Sequence, residues 1–110
     1  MKAKENKSLF LRQFGDTPQL RVMDFFIENS IFDFPLTEIA REGNVSYNSL
    51  KSFIDDFLKM GFVVKTRKVG KSDYYRINKE NPFVTNLIRL DFALSKNYAL
   101  NFGNKSLIPA

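Results

Sequence analysis

The sequence predicts a mainly α-helical domain with one small β-hairpin, and three observations support this fold class. Apolar residues recur at helical spacing in four segments, a β-branched segment alternates before a turn cluster, and helix-capping residues stand at the segment boundaries. The 110 residues (12.8 kDa) are 44% hydrophobic and 26% charged, as in an ordinary globular protein. This length suits one small domain with an added helix.

The first two predicted helices flank a short strand. Thr17-Pro18 starts a helix that extends to Asn29, because threonine caps and proline suits the first helical position. A shorter apolar segment before it, residues 8–14, must also be buried. Phe32 and Phe34 then alternate around Asp33, and Pro35 predicts an edge strand. The second helix covers residues 36–42.

The third predicted helix follows closely on the second. Gly43-Asn44 ends the second helix, and Ser46 caps a third that runs to about Met60. A turn of three or four residues that contains glycine is the connection of a helix-turn-helix. The third helix has one apolar face, made of Leu50, Phe53, Ile54, Phe57 and Leu58.

A β-hairpin follows the third helix directly. Residues 62–69 alternate, residues 70–73 (Gly-Lys-Ser-Asp) form a turn, and residues 74–77 return. Because neighbouring strand residues face opposite sides, we expect Tyr75, with Ile77, to face the core and Tyr74 to face outward. A hairpin in this place makes the domain a winged helix-turn-helix.

The fourth predicted helix begins at Asn81-Pro82 and ends near Tyr98. It has a heptad-like apolar stripe, and Val84, Ile88 and Phe92 lie beside that stripe. Because a small domain buries only one face, we expect the other to pack on a second subunit. The alternative is a helix wholly buried by the N-terminal segment and the tail. The expected dimerisation residues are Phe83, Leu87, Leu90, Leu94 and Tyr98.

These elements divide the chain into four parts. We expect a disordered N-terminus over residues 1–7, the winged helix-turn-helix domain over residues 8–80, the dimerisation helix over residues 81–99 and a tail over residues 100–110. The tail residues that are candidates for docking on the domain are Leu100, Phe102, Leu107 and Ile108.

The positive charge lies in one segment of the chain. The net charge is +5 and the pI is about 9.6. Residues 59–79 hold seven Lys or Arg and one Asp, whereas residues 1–58 hold seven basic and nine acidic residues. A basic segment predicts an acidic partner, either nucleic acid or an anionic membrane face. Its position on the hairpin favours a phosphate backbone over a merely solvated surface.

The composition argues against catalysis. Cysteine and histidine are absent, which excludes disulfides, thiolate metal sites and the usual base near neutral pH. Asp55 and Asp56 are adjacent and diverge on a helix, and the glycines are scattered. We therefore expect no enzyme, no cofactor and no metal site. With no apolar run of about 20 residues and no signal peptide, we expect a cytoplasmic, DNA-associated protein.

Four motifs resemble those of a known family: residues 14–19 (Phe-Gly-Asp-Thr-Pro-Gln), residues 36–42 (Leu-Thr-Glu-Ile-Ala-Arg-Glu), Val45-Ser46, and residues 60–63 (Met-Gly-Phe-Val). With them, residues 9–98 resemble the winged helix-turn-helix transcriptional regulators of archaea, in the broad MarR/ArsR-like group. Pro35 stands where a Ser or Thr cap often precedes the second helix, and Asn44 stands where glycine is usual. The resemblance implies DNA binding and transcriptional regulation, with no operator identified.

Two sets of residues are expected to contact DNA. The first turns of a recognition helix reach base edges, so Asn48 suits adenine, Lys51 suits guanine or phosphate, and Tyr47 suits a thymine methyl or phosphate. Hairpin cations suit flanking phosphates or the minor groove. The helix set is Ser46, Tyr47, Asn48, Ser49, Lys51 and Ser52, and the hairpin set is Arg67, Lys68, Lys71 and Arg76. The alternatives are a solvated helix face and lysines that protect a sheet edge.

The predicted function is sequence-specific binding of double-stranded DNA by a homodimer that regulates transcription. One alternative is a winged-helix module that binds proteins of the transcription or replication machinery. Another is a non-specific nucleic-acid-binding protein. Whether a small-molecule effector exists is left open.

Overall fold

Five α-helices and a three-stranded sheet make up residues 7–103, the part of the chain that the computed structural model describes. The four predicted helices are confirmed, and residues 8–14, expected only to be buried, form a further short helix. A π-helical turn, Ala99–Gly103, follows the last α-helix. In chain order the elements are α1 (Leu9–Phe14), α2 (Pro18–Glu28), β1 (Phe34–Pro35), α3 (Leu36–Glu42), α4 (Tyr47–Lys59), β2 (Val63–Val69), β3 (Ser72–Ile77) and α5 (Pro82–Tyr98).

Polar side chains cap four of these helices at their first turn. Thr17 accepts from the Leu20 amide at 3.2 Å, and Ser46 accepts from the Ser49 amide at 3.0 Å. Asn81 caps α5 in the same way, and Ser8 caps α1. Pro35 gives α3 no side-chain cap. The chain therefore starts α3 directly from the edge strand.

The sheet is antiparallel, with the strand order β1-β3-β2. The turn of the hairpin is shorter than predicted, because β3 begins at Ser72 and only Gly70 and Lys71 connect the strands. Gly70 has a φ of 62°, which glycine adopts without strain. A bulge at Thr66 changes the register, so that Lys65 pairs with Tyr75 but Arg67 pairs with Tyr74.

The hydrophobic core lies between the helices and the inner face of the sheet. Phe62 is fully buried, and its ring lies 5.1 Å from Phe57 and 6.2 Å from Phe26 between centroids. Tyr75 and Ile77 are both buried, which confirms their predicted orientation. Helix α1 packs on α2 and α5.

Some predicted features fall at or beyond the ends of residues 7–103. Lys7 was assigned to the disordered N-terminus, but its ammonium lies 3.4 Å from Asp16. Residues 1–6, the side chain of Phe102, Leu107 and Ile108 lie outside the described residues. Within the described part, no helix has the length and apolar character needed to cross a membrane.

Candidate nucleic-acid interface

The turn between α3 and α4 is held in place by α2. Arg21 of α2 donates a hydrogen bond to the Asn44 carbonyl at 2.6 Å, and its Nε lies 2.8 Å from Asp16. Asn44 has a φ of 56°, so asparagine occupies the left-handed position that glycine usually fills. A side chain at Gly43 would lie 2.9 Å from the Ile39 carbonyl. These contacts fix the direction in which α4 leaves the turn.

Helix α4 presents the predicted contact residues on its outer face. Tyr47, Asn48 and Lys51 are exposed on the first two turns, opposite the buried Leu50 and Phe53. The Lys51 ammonium lies 5.6 Å from the centre of the Tyr47 ring. Among residues 7–103, neither the Asn48 amide nor the Lys51 ammonium has a hydrogen bond or ion pair with another side chain. Both groups are therefore available to a ligand.

The three predicted serines are partly engaged within the helix. Ser46 accepts the capping hydrogen bond from Ser49, and the Ser52 hydroxyl donates to the Ser49 carbonyl at 2.5 Å. Ser46 and Ser52 are exposed, whereas Ser49 is half-buried. Ser46 and Ser52 keep spare hydroxyl lone pairs, so they can still meet a phosphate or a base edge.

The predicted hairpin cations lie on different faces. Lys68 belongs to the face that carries Tyr75 and Ile77, where its ammonium lies 3.0 Å from Asp73. Lys65 lies 3.3 Å from the same carboxylate. Hydrogen bonds from Lys68 and Lys65 lower the pKa of Asp73 below its usual value. Asp73 therefore neutralises part of the charge on this face.

Arg67 lies on the opposite face of the hairpin and is engaged by its own chain. Its guanidinium donates to both oxygens of Asp33, at 2.9 and 3.1 Å, and lies 4.4 Å from the centre of the Tyr74 ring. The Thr66 hydroxyl donates to the same carboxylate. Hydrogen bonds from Arg67 and Thr66 lower the pKa of Asp33 to about 2. Arg67 is thus less available to phosphate than the sequence suggested.

Lys71 and Arg76 remain as unpaired cations of the predicted set. Lys71 is exposed in the hairpin turn, and Arg76 is exposed on the same face as Tyr74. Neither forms an ion pair with any residue in the described range. Together with Lys51 they are the predicted cations whose charge no carboxylate within residues 7–103 offsets at close range.

Sequence reasoning missed Arg21, Asp33 and Asp73. A signal existed for Asp73, because a two-residue turn at Gly70-Lys71 places it opposite Lys68. No comparable signal existed for Asp33. Its partner Arg67 is 34 positions away, and the bulge at Thr66 decides which face Arg67 occupies.

A groove lined by five carboxylates and two cations, Lys7 and Arg21, reaches the turn before α4. Its volume is about 430 Å³, and it lies between α1, α2 and α3. The Ser8 hydroxyl donates to Asp24 at 2.9 Å, but burial, with smaller contributions from the nearby Glu28 and Asp91, raises the pKa of Asp24 to about 6. A phosphate backbone would be repelled here. Its acidic lining residues are Asp16, Asp24, Glu28, Glu38 and Glu42. In residues 7–103, no three such groups converge as metal ligands.

Helix α5 exposes an apolar face that differs in part from the predicted one. Val84 is fully buried and Leu87 and Ile88 pack against the core, because spacings of three and four residues align them in one stripe. Leu87 therefore belongs to the inner face rather than to an open dimer surface. Phe92, expected beside the stripe, is 69% exposed. The predicted residues Phe83, Leu90 and Tyr98 are exposed, and Leu94 is half-buried.

No family model and no curated protein matches the chain. Several solved structures are similar to it. The antimony-specific transcriptional repressor AntR is 18% identical, with a TM-score of 0.59 over 84% of this chain and 78% of that one. NadR in complex with 4-hydroxyphenylacetate is 16% identical, with a TM-score of 0.59 over 90% and 72%.

A third structure is Sso10a-2, a DNA-binding protein from Sulfolobus solfataricus. It is 15% identical, with a TM-score of 0.52 over 80% of this chain and 93% of that one. At sequence identities of 15–18%, these similarities indicate the fold alone. The chain has the winged-helix fold, as the order of its helices and its hairpin predicts.

Proposed function

We propose that the protein binds double-stranded DNA sequence-specifically as a homodimer and thereby regulates transcription. One observation carries the proposal. On α4, the helix after the turn of the helix-turn-helix, the Asn48 amide and the Lys51 ammonium have no polar partner among the described side chains. A hairpin with exposed cations follows α4 in the chain. AntR is described as a transcriptional repressor and Sso10a-2 as a DNA-binding protein, which agrees with this proposal.

The recognition step follows from the chemistry of α4. An amide such as that of Asn48 donates to and accepts from adenine in the major groove, and the Lys51 ammonium donates to guanine or phosphate. The Tyr47 ring lies beside Lys51 and limits the positions of its ammonium. Asn48 and Lys51 are three residues apart on one helix face, which matches the few residues by which recognition helices read bases.

The charge distribution orients the protein on DNA. The segment 59–79 holds seven of the 17 basic residues and only one acid, whereas the groove near α2 is lined by five carboxylates against two cations, Lys7 and Arg21. A polyanion attracts the first surface and repels the second. The field therefore turns α4 and the hairpin, rather than α1 and α2, toward the phosphates.

Selection from a random duplex pool with the purified full-length chain tests the proposal. The expected result is one enriched sequence, with two half-sites separated by about 10–10.5 base pairs or a multiple. Retention of all duplexes without enrichment would indicate the non-specific alternative. No retention at low salt would overturn DNA binding.

Replacement of Asp73 by Asn is expected to strengthen DNA binding, because it releases Lys65 and Lys68. Affinity should rise equally for selected and scrambled duplexes, since phosphates carry no sequence. The slope of log affinity against log salt should steepen by about 1–2, as each added phosphate contact contributes roughly 0.9. A salt titration by fluorescence anisotropy measures both effects.

Glu80→Gln is the matched control for that variant. Glu80 is exposed and has no ion pair within residues 7–103, so this substitution removes one negative charge without releasing a lysine. If Asp73→Asn and Glu80→Gln changed the salt slope by the same amount, the lysines paired with Asp73 would not contact phosphate.

The apolar face of α5 supports the homodimer in this proposal. Phe83 and Leu90, seven residues apart and therefore on one side of α5, are 43% and 45% exposed, with the half-buried Leu94 beside them, whereas Phe92 projects from the opposite side. Contiguous apolar residues on a small domain mark an interaction site, and a symmetric site of two half-sites requires two copies. A twofold pairing of α5 with α5 satisfies both conditions.

Leu90→Glu is expected to convert the dimer to a monomer, because it places a carboxylate in the apolar contact. Sedimentation equilibrium at micromolar concentration should give about twice 12.8 kDa for the wild type and 12.8 kDa for the variant. Ser95→Glu adds the same charge to an exposed polar position of α5 that lies away from the side of Phe83 and Leu90, and it should leave the dimer intact. A wild-type monomer, or a Leu90→Glu dimer, would contradict the proposed interface.

The protein-interaction module is the second candidate function, and one observation favours it. Ile31 and Phe32 are 68% and 57% exposed in the loop between α2 and β1, where polar residues are usual. If the duplex selection retains nothing, this loop is the first surface to test for a protein partner.

A further inference from the structure

The loop between α2 and β1 is joined to the hairpin by a single carboxylate. The two oxygens of Asp33 accept from Nε and Nη2 of Arg67 in a fork, the geometry that gives an arginine–carboxylate pair its directional preference. Thr66 donates to Oδ2 of the same group at 2.5 Å. Thr66 and Arg67, two consecutive residues of β2, therefore both bind Asp33, which lies more than 30 positions earlier in the chain.

The bulge in β2 is what makes this junction possible. In a regular strand, Arg67 would share a face with Lys65, two residues before it. The extra residue, Thr66, instead pairs Arg67 with Tyr74 on the other face, where the guanidinium covers the Tyr74 ring. The Thr66 hydroxyl also lies 3.4 Å from the Tyr74 carbonyl. Asp33 is therefore bound directly to β2 and reaches β3 indirectly, through the contact of Arg67 with the Tyr74 ring.

The backbone alone holds this edge of the sheet weakly. Strand β1 has only two residues, and Pro35 has no amide hydrogen to donate to β3. The side-chain junction thus adds to the core packing of Tyr75 and Ile77 in linking the hairpin to the helical part of the domain. The Asp73 pairs differ, because Asp73, Lys65 and Lys68 all belong to the hairpin itself.

We propose that Asp33 is a positioning residue that sets the angle of the hairpin to α4 through Arg67, and that Arg67 serves this junction rather than contacting DNA. The binding measurement for this inference rests on the proposed function, DNA binding. Arg67, which the sequence predicts to contact DNA, instead orients the hairpin. Asp33, which would itself repel phosphate, contributes to DNA recognition through Arg67.

The sign of the Asp33→Asn effect separates positioning from simple electrostatics. The substitution removes a negative charge and frees Arg67, so a direct phosphate contact by Arg67 would make DNA binding tighter. A positioning role makes it weaker, because the hairpin loses its orientation. We expect affinity for the selected duplex to fall by about two- to fivefold, the range over which exposed ion pairs act. The control Glu80→Gln removes the same charge without touching the junction.

Arg67→Lys provides the second comparison, because lysine keeps the charge but loses the planar fork. Positioning predicts that Arg67→Lys weakens binding as much as Asp33→Asn does, with the salt slope unchanged. A salt slope that falls by about 1 in Arg67→Ala would show a phosphate contact. Tighter binding by Asp33→Asn, or wild-type binding by Arg67→Lys, would overturn the proposal.

Amide hydrogen exchange tests the junction without DNA. Asp33→Asn should accelerate exchange across residues 63–77 relative to Glu80→Gln, while exchange in α4 stays unchanged. Unaltered hairpin exchange would overturn the junction even if the wild type binds DNA. If the wild type binds no duplex, the proposed function fails, and accelerated exchange would still support the junction.

Discussion

Replacing Asn48 and Lys51 by alanine should abolish the preference of the protein for its selected duplex. Each bidentate base contact provides about 1–3 kcal/mol of discrimination, so the two substitutions remove most of the specificity. The substitutions should cost little stability, because both side chains are exposed and lie opposite the buried face of α4. Anisotropy titrations with selected and scrambled duplexes measure the change in the ratio of their affinities.

Lys59→Ala is the matched control for this variant. Lys59 is an exposed lysine at the other end of α4, beyond the turns that would enter the groove. It should change both affinities little and by equal factors. If the Asn48 and Lys51 substitutions also weakened both duplexes equally, the two side chains would contact only the backbone.

Replacing Asp24 by Asn should stabilise the protein above pH 6. The folded-state pKa of Asp24 is about 6, against an ordinary value of 3.8, chiefly because of burial. The folded protein therefore binds this proton more tightly than the unfolded chain does. The resulting stabilisation is present in full below about pH 4 and is lost as the pH rises to about 6. Asparagine does not ionise, and its oxygen can still accept from Ser8.

Urea unfolding at pH 4 and pH 7.5 measures this effect. Because Asp24 is only partly shielded from solvent, we expect the variant to gain about 1 kcal/mol over the wild type at pH 7.5 and little at pH 4. The difference in unfolding free energy between variant and wild type reports on Asp24 alone, because Asp33 and Asp73 are present in both proteins. Their pKa values are lowered, so their contributions to the pH dependence of stability have the opposite sign. The exposed control Asp56→Asn should show no such difference. A variant less stable than wild type at pH 7.5 would contradict the account of Asp24.

Local signals were enough to predict most of the elements. Thr17, Ser46 and Asn81 cap helices where the sequence indicated, because capping depends on residues within one turn. The alternation of residues along β3 correctly predicted that Tyr75 is buried, because it too depends only on neighbouring residues. Helix α1 was missed because its six residues give too short a period to recognise, although Ser8 caps it.

The features that escaped prediction depend on tertiary geometry. Arg67 was expected to contact a phosphate, but a single bulge places it on the face of the hairpin where it binds Asp33. No residue pattern in β2 predicts that bulge. Leu87 fits a heptad stripe equally well on either face of α5. Only the packing of Val84 and Ile88 shows that Leu87 turns inward.

The affinity ratio of the wild-type protein for its selected duplex and a scrambled duplex, at about 0.15 M salt, tests the central proposal most directly. Sequence-specific binding predicts a ratio of about 10³ or more, with two protomers bound to each selected duplex. Both duplexes should lose affinity as salt increases, but the ratio should persist, because base contacts release few counterions. Equal affinities, or no measurable binding to either duplex, would contradict it.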